Sequence, residues 1–120
     1  MSVLLETSLG DLVVDLFYEQ SPKTCFNFLR LCMLKKLNGR LFISVTKDYL
    51  ATVSDEPGTG SDESVFQQKF FPDEITKQKF AKKGLLAMAN TGPNLNASNF
   101  FITLGDERID SLYKKHTIFG

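Results

Sequence analysis

The chain has 120 residues, a length that suits one domain built around one hydrophobic core. Its 14 basic and 14 acidic side chains cancel, which argues against a nucleic-acid-binding surface as the main feature of the chain. Because 42% of the residues are hydrophobic, with 11 Phe and no Trp, phenylalanine must provide most of the packing and no stabilising disulfide or metal is required.

The first predicted element is a β-hairpin. Residues 3–7 and 12–17 favour strands, and residues 8–11 form the turn between them. Gly10 lies in that turn because glycine adopts a positive φ without a steric penalty.

A helix is predicted to follow the hairpin. Ser21 is suited to the N-cap position and Pro22 to the first helical position, and the helix is expected to end within residues 33–36. Its expected buried stripe has the spacing i, i+3, i+4 and i+7. The stripe consists of Cys25, Phe28, Leu29 and Cys32.

The two cysteines predict a reducing compartment. On a helix, Cys25 and Cys32 would lie ~10 Å apart along the axis, whereas a disulfide needs Cα atoms within roughly 7 Å.

The N-terminal residues lack the features of a signal peptide, and no stretch is long and apolar enough for a membrane span. With one His, no metal cluster fits the sequence. We therefore expect a cytoplasmic or nuclear protein that needs no cofactor.

Short strands and loops are predicted for the remainder of the chain. The expected strands are 41–45, 49–53, 84–89, 100–104 and 116–119. An Asn38-Gly39 turn precedes them, a loop spans 55–63, and one helical turn is expected at 110–113. Four aromatic residues are expected to pin the irregular stretch 66–83 to the body: Phe66, Phe70, Phe71 and Phe80. About seven short strands and one helix predict a mainly β domain, either a barrel or a sandwich.

Residues 88–104, MANTGPNLNASNFFITL, are the most informative part of the chain. They predict a strand, an ordered Gly/Pro/Asn loop and a strand with adjacent aromatics. Together with TSLGD at 7–11, SPKTCFNF at 21–28 and HTIFG at 116–120, this segment resembles the cyclophilins, the peptidyl-prolyl cis-trans isomerase family. The compact start and the tight Asn38-Gly39 turn are similar to the spliceosome-associated subfamilies.

The resemblance implies an antiparallel β-barrel of eight strands capped by two helices. The family's last strand and second helix would follow Gly120, so residues 1–120 are expected to form a single, C-terminally short cyclophilin-like domain with one N-terminal capping helix. A barrel that lacks one strand should expose a sheet edge.

The resemblance also implies an apolar slot for a proline ring. Its expected lining is Tyr49, Leu50, Phe101 and Leu112, with Tyr49 where the family typically has Phe. Core packing is the commoner role of a lone Phe in a strand, but the motif match favours the slot for Phe101. Its neighbour Phe100 should point the opposite way, into the core.

Polar groups beside the slot are expected to contact an extended substrate. Ala89, Asn90 and Thr91 match the family segment that pairs with the peptide, although Asn90 has the alternative role of capping its own loop. Asn99 stands where the family often has Gln, and His116 matches a rim His that has a purely structural role as its alternative.

Three residues expected from the family pattern are replaced in this chain. The family motif Phe-His-Arg corresponds to residues 42–44, so Ser44 replaces the Arg that donates to the prolyl nitrogen and the substrate carbonyl. Thr52 stands at a family Gln position, and Ser111 replaces a rim Trp or His. Arg40 and Lys47 are the nearest cations, but neither is at the matching position.

We therefore predict a monomeric domain that binds proline-containing segments, with weak or lost isomerase activity. No residue is assigned a catalytic role. Candidate partners are spliceosomal proteins, without direct nucleic-acid or membrane contact. The alternatives are an active isomerase that assists protein folding or spliceosome remodelling, and a structural remnant without a ligand.

Overall fold

The fold is mainly β with one helix and antiparallel sheets, as predicted. The computed structural model describes residues 1–54, 66, 70–75, 83–90, 92–105 and 115–120. In chain order the elements are β1 (Ser2–Thr7), β2 (Gly10–Asp15), α1 (Pro22–Met33), β3 (Leu41–Thr46), β4 (Leu50–Ser54), β5 (Leu86–Met88) and β6 (Phe100–Thr103). Strands β1 and β2 form one sheet, and the second sheet has the order β3-β4-β6-β5.

The predicted hairpin is confirmed, but its second strand begins and ends two residues earlier than predicted, so the turn consists of Ser8 and Leu9. Its register runs from Ser2 opposite Asp15 to Thr7 opposite Gly10, and Gly10 has a φ of +136°. Strand β2 ends at Asp15 rather than at Phe17. The Phe17 N–H leaves the hairpin and donates to the Phe119 carbonyl at 2.8 Å, because the chain here crosses towards the second sheet.

Helix α1 begins and ends where the sequence predicts, but its N-terminus is capped differently. Ser21 occupies the N-cap position without a side-chain capping bond, and its Oγ donates to the Ile118 carbonyl at 2.8 Å. The carboxylate of Glu74 accepts instead from the Thr24 N–H at 2.6 Å and the Lys23 N–H at 3.2 Å. A residue about fifty positions away in the chain therefore satisfies the first turn of the helix.

The buried face of α1 differs from the predicted stripe. Cys25 and Phe28 are buried as expected, whereas Leu29 and Cys32 are only half-buried. The other buried helix residues are Thr24, Asn27 and Leu31. Polar residues enter the buried face because distant segments provide partners, such as the Ala97 carbonyl that accepts from Asn27 Nδ2 at 2.8 Å.

Hydrophobic side chains form one cluster on each face of the four-stranded sheet. On the helix side, Phe28 packs edge-on against Phe100 with ring centroids 5.3 Å apart and lies 5.1 Å from Phe119. On the opposite side, Phe101 packs with Leu85, Ala87 and Ile118. The predicted opposite orientations of Phe100 and Phe101 are thus confirmed, as strand alternation requires.

Strand β3 lies at an open edge of the described sheet. All six of its residues are exposed, including Phe42, which pairs with the buried Val53. Between β1 and β3 lies a groove of about 900 Å³ that reaches Val53 and Phe100. Among the strands that the structure describes, β3 therefore forms one edge of the four-stranded sheet.

Residues 116–119 do not form the predicted strand. Ile118 makes a single bridge with Ala87, while Phe119 bonds to Leu86 of β5 and to Phe17, two residues beyond the end of β2, so the segment does not form one regular ladder. Phe66 and Phe71 pack on the core with ring centroids 5.4 Å apart, as expected. Phe80, the 55–63 loop and the turn at 110–113 lie outside the described residues.

Candidate functional site

The register of three neighbouring strands aligns the residues on which the functional prediction depends. Ser44 on β3 lies opposite Thr52 on β4, and Thr52 lies opposite Phe101 on β6. Directly opposed residues of an antiparallel pair project from the same face. The two short polar side chains and the aromatic ring thus form one row across the sheet, and Ala87 on β5 completes it.

Phe101 forms the apolar centre of the candidate slot. Its side chain is 3% exposed, and the half-buried Tyr49, Leu50 and Ala89 pack against its cluster. The structure therefore brings together three of the predicted slot residues. The fourth, Leu112, lies outside the described part of the chain, as do Thr91 and Ser111.

His116 lies at the side of this aromatic. The two rings make an edge-on contact with centroids 5.2 Å apart, and His116 Nδ1 is 3.0 Å from the Met88 carbonyl. Since a carbonyl only accepts, this bond places the proton on Nδ1 of the neutral ring. Burial lowers the pKa of His116, and the Met88 bond opposes part of that shift. The imidazole is held beside Phe101 in a fixed orientation.

The polar groups at the end of β5 are used within the domain. Asn90 Nδ2 donates to the Lys115 carbonyl at 2.8 Å, so its amide joins two distant segments rather than capping its own loop. The Ala89 N–H donates to the Asn99 carbonyl at 3.0 Å and continues the β5–β6 pairing. The N–H of Ala89 is therefore used within the sheet, and the pairing of this segment with an extended substrate stays a prediction.

The two candidate substitute cations occupy different surroundings. Lys47 lies in the β3–β4 turn, after the end of β3. Arg40 is half-buried, and its Nη1 donates to the Asn99 Oδ1 and to the Ser98 carbonyl, each at 3.3 Å. The sequence drew attention to Arg40 only as a nearby charge; its contact with Asn99 spans 59 positions, and no local pattern indicates it.

Among the residues that the structure describes, no three His, Cys, Asp or Glu side chains are grouped to hold a metal ion. Nor does the described part contain a helix with the length and apolar character to cross a membrane.

The antiparallel fold, the helix α1 and the aligned motifs define a cyclophilin-type domain. The family model for cyclophilin type peptidyl-prolyl cis-trans isomerases matches residues 2–120, and the chain belongs to this family. It is 48% identical to the peptidyl-prolyl cis-trans isomerase CYP59 of Arabidopsis thaliana, covering 100% of this chain and 25% of that protein. It is 42% identical to the spliceosome-associated protein CWC27 homolog of Danio rerio, covering 98% of this chain and 25% of that protein.

The fold is also similar to that of solved cyclophilin structures. A Cryptosporidium parvum cyclophilin type peptidyl-prolyl cis-trans isomerase, crystallised in the presence of the dipeptide Ala-Pro, superimposes with a TM-score of 0.91. It is 35% identical, and the match covers 100% of this chain and 77% of that one. By contrast, this chain spans only about a quarter to a third of the length of the first relatives named by sequence.

Proposed function

We propose that this domain binds proline-containing segments and that its isomerase activity is weak or lost. The observation that carries the proposal is the row Ser44–Thr52–Phe101. The buried Phe101 shares one face of the sheet with two neighbouring positions that hold short neutral side chains.

The chemistry explains why these two positions matter. Rotation about an X–Pro bond has a barrier near ~20 kcal/mol because the amide is conjugated. The catalyst must therefore bind the twisted amide better than the planar one, with a donor directed at the prolyl nitrogen. A serine at position 44 is too short to reach across the row as an arginine would. Loss of one preorganised donor typically costs ~3–4 kcal/mol, or about 10²–10³ in rate.

Ligand binding makes smaller demands than catalysis. The half-buried Tyr49, Leu50 and His116 border the buried Phe101 ring, and together they form an apolar environment of the kind that suits a pyrrolidine ring. The Ala-Pro dipeptide used with the Cryptosporidium parvum relative supports the same ligand class for this domain.

The named relatives support a nuclear setting. The similarity to a spliceosome-associated protein leads us to propose that the bound segment belongs to a spliceosomal protein and that the domain acts in the nucleus. Under this proposal the domain docks a partner, and the loss of fast isomerisation would not impair that role.

Titration with a short Ala-Pro peptide, followed by NMR, tests the proposal. We expect saturable shifts at Phe101 and His116, with cis/trans exchange of the peptide close to its uncatalysed rate. Phe101→Leu, which keeps the site apolar, should weaken binding, whereas Phe26→Leu on the exposed side of α1 serves as the matched control. Absence of shifts in folded protein would reject binding, and rapid exchange at catalytic protein concentration would reject the loss of activity.

A further inference from the structure

Arg40 reaches from the start of β3 to the strand that carries the slot aromatic. Its Nη1 donates to Asn99 Oδ1 and to the Ser98 carbonyl, each at 3.3 Å. Its Nε donates to the Lys36 carbonyl at 3.2 Å, so the turn after α1 also holds the guanidinium. Three acceptors from two separate segments thus fix the side chain of Arg40.

The contact determines which way the Asn99 amide points. A guanidinium has only donors, so the amide atom that faces it must be the oxygen Oδ1. The NH₂ group is therefore directed away from Arg40. Charge-assisted hydrogen bonds are stronger than neutral ones, which makes this orientation a defined feature of the folded domain rather than one of two equivalent flips.

Strand geometry places the Asn99 side chain on the face of the slot. The Asn99 carbonyl accepts from the Ala89 N–H, so the extended pairing of β6 continues back to this residue. Since side chains alternate along a strand, Asn99 and Phe101 share a face and lie ~6.5–7 Å apart along it. A peptide whose proline ring rests on Phe101 would pass within reach of the amide.

We propose that Arg40 is a positioning residue for this site. It holds the Asn99 amide so that Nδ2 donates to a backbone carbonyl of the bound proline segment. The inference rests on the proposed function, and it assigns part of the specificity for the peptide backbone to an arginine that lies outside the Ser44–Thr52–Phe101 row.

The physical benefit of Arg40 is preorganisation. The Arg40 bond contributes to the ordering of the Asn99 amide before the peptide binds, and an amide that is already ordered loses less conformational freedom on binding. Removal of the guanidinium should therefore weaken peptide binding by about 3–10-fold. Because Arg40 acts through Asn99, removal of both side chains should be no worse than removal of Asn99 alone.

The test is a double-mutant cycle on the Ala-Pro peptide. Dissociation constants are measured by NMR titration for the wild type, Arg40→Met, Asn99→Ala and the double variant, and the Asn99 side-chain NH₂ signals are recorded without peptide. We expect shifted NH₂ signals and weaker binding in Arg40→Met, and equal affinities for Asn99→Ala and the double variant. Arg30→Met, on the exposed side of α1, is the matched control and should bind as the wild type does.

Two further results separate this proposal from the proposed function. Arg40→Lys keeps the positive charge but loses the planar arrangement of guanidinium donors. If that geometry matters, its affinity for the peptide should lie between those of the wild type and Arg40→Met, and it provides a second variant for the test. If the wild type binds the peptide and Arg40→Met binds it equally well, or if the mutant cycle is fully additive, the role of Arg40 is overturned. The proposed function would then still stand. A wild type that does not bind would overturn both proposals.

Discussion

The capping of α1 by Glu74 gives a sharp prediction for stability. Its carboxylate accepts from the Lys23 N–H at 3.2 Å, the Thr24 N–H at 2.6 Å and the Thr24 hydroxyl at 2.7 Å. Thr24 is fully buried, so Glu74→Ala would leave its hydroxyl and N–H without this acceptor and away from water.

Two contributions set the size of the effect. Loss of an N-cap acceptor costs ~1 kcal/mol, and a buried polar group left unsatisfied costs ~1–3 kcal/mol. Some water will enter beside the half-buried Glu74, so we expect the free energy of unfolding to fall by about 2 kcal/mol. Glu74→Gln retains an acceptor oxygen without the charge and should lose about half as much.

Urea unfolding followed by circular dichroism measures this change. In thermal unfolding, the same loss should appear as a decrease of about 6–10 °C in Tm for a domain of this size. Glu19→Ala, which changes an exposed acidic residue before α1, is the matched control and should have little effect. If Glu74→Ala unfolded at the same urea concentration as the wild type, the carboxylate would not be what stabilises the helix N-terminus.

Three further predictions concern buried groups. Burial lowers the pKa of His116 below its usual 6.5, so the unfolded chain binds more protons in the window beneath that value. The free energy of unfolding should therefore fall as the pH decreases through this window. Urea midpoints of His116→Gln should depend less on pH than those of the wild type, and an equal slope in both proteins would contradict this. Phe28→Ala, at the contact of three Phe rings, should cost ~3–5 kcal/mol in the same assay, and a loss well below that range would mean that the core repacks. Burial, together with the nearby Glu74 charge, raises the pKa of the Cys25 thiol to about 12. Iodoacetamide should therefore modify the half-buried Cys32 before Cys25, as mass spectrometry of the labelled protein would show. Preferential labelling of Cys25 would contradict this prediction.

Local patterns in the sequence were sufficient for the main elements. The turn glycine located the β1–β2 hairpin, and Ser21-Pro22 located the beginning of α1, because both signals act through the backbone of neighbouring residues. Alternation along β6 also separated Phe100 from Phe101 correctly. These features depend on contacts within a few residues of chain or on strict periodicity.

Features that depend on distant segments could not be predicted in this way. Helical periodicity favoured Leu29 and Cys32 for burial, but Thr24 and Asn27 are buried because Glu74 and Ala97 supply hydrogen-bond partners. Residues 116–119 have the composition of a strand, yet they bond both to β5 and to Phe17 and form only one bridge.

The candidate site shows the same contrast between local patterns, which the sequence predicts, and contacts between distant segments, which it does not. Motif positions indicated Phe101, Tyr49 and Leu50, which the structure brings together in one cluster. The roles of Asn90 and Arg40 depend on partners 25 and 59 positions away, which become neighbours only when the strands pair. Sequence therefore predicted the apolar part of the site better than its hydrogen bonds.

The most direct test of the central claim is to restore the missing donor. Cis/trans exchange of an Ala-Pro peptide should be measured by NMR with catalytic amounts of wild type, Ser44→Arg and Ser8→Arg, the last adding the same charge at the β1–β2 turn. If the slot is intact and only the donor is absent, Ser44→Arg should accelerate exchange at least about tenfold over both other proteins. An efficient wild type, or a folded Ser44→Arg variant with no gain, would contradict the account.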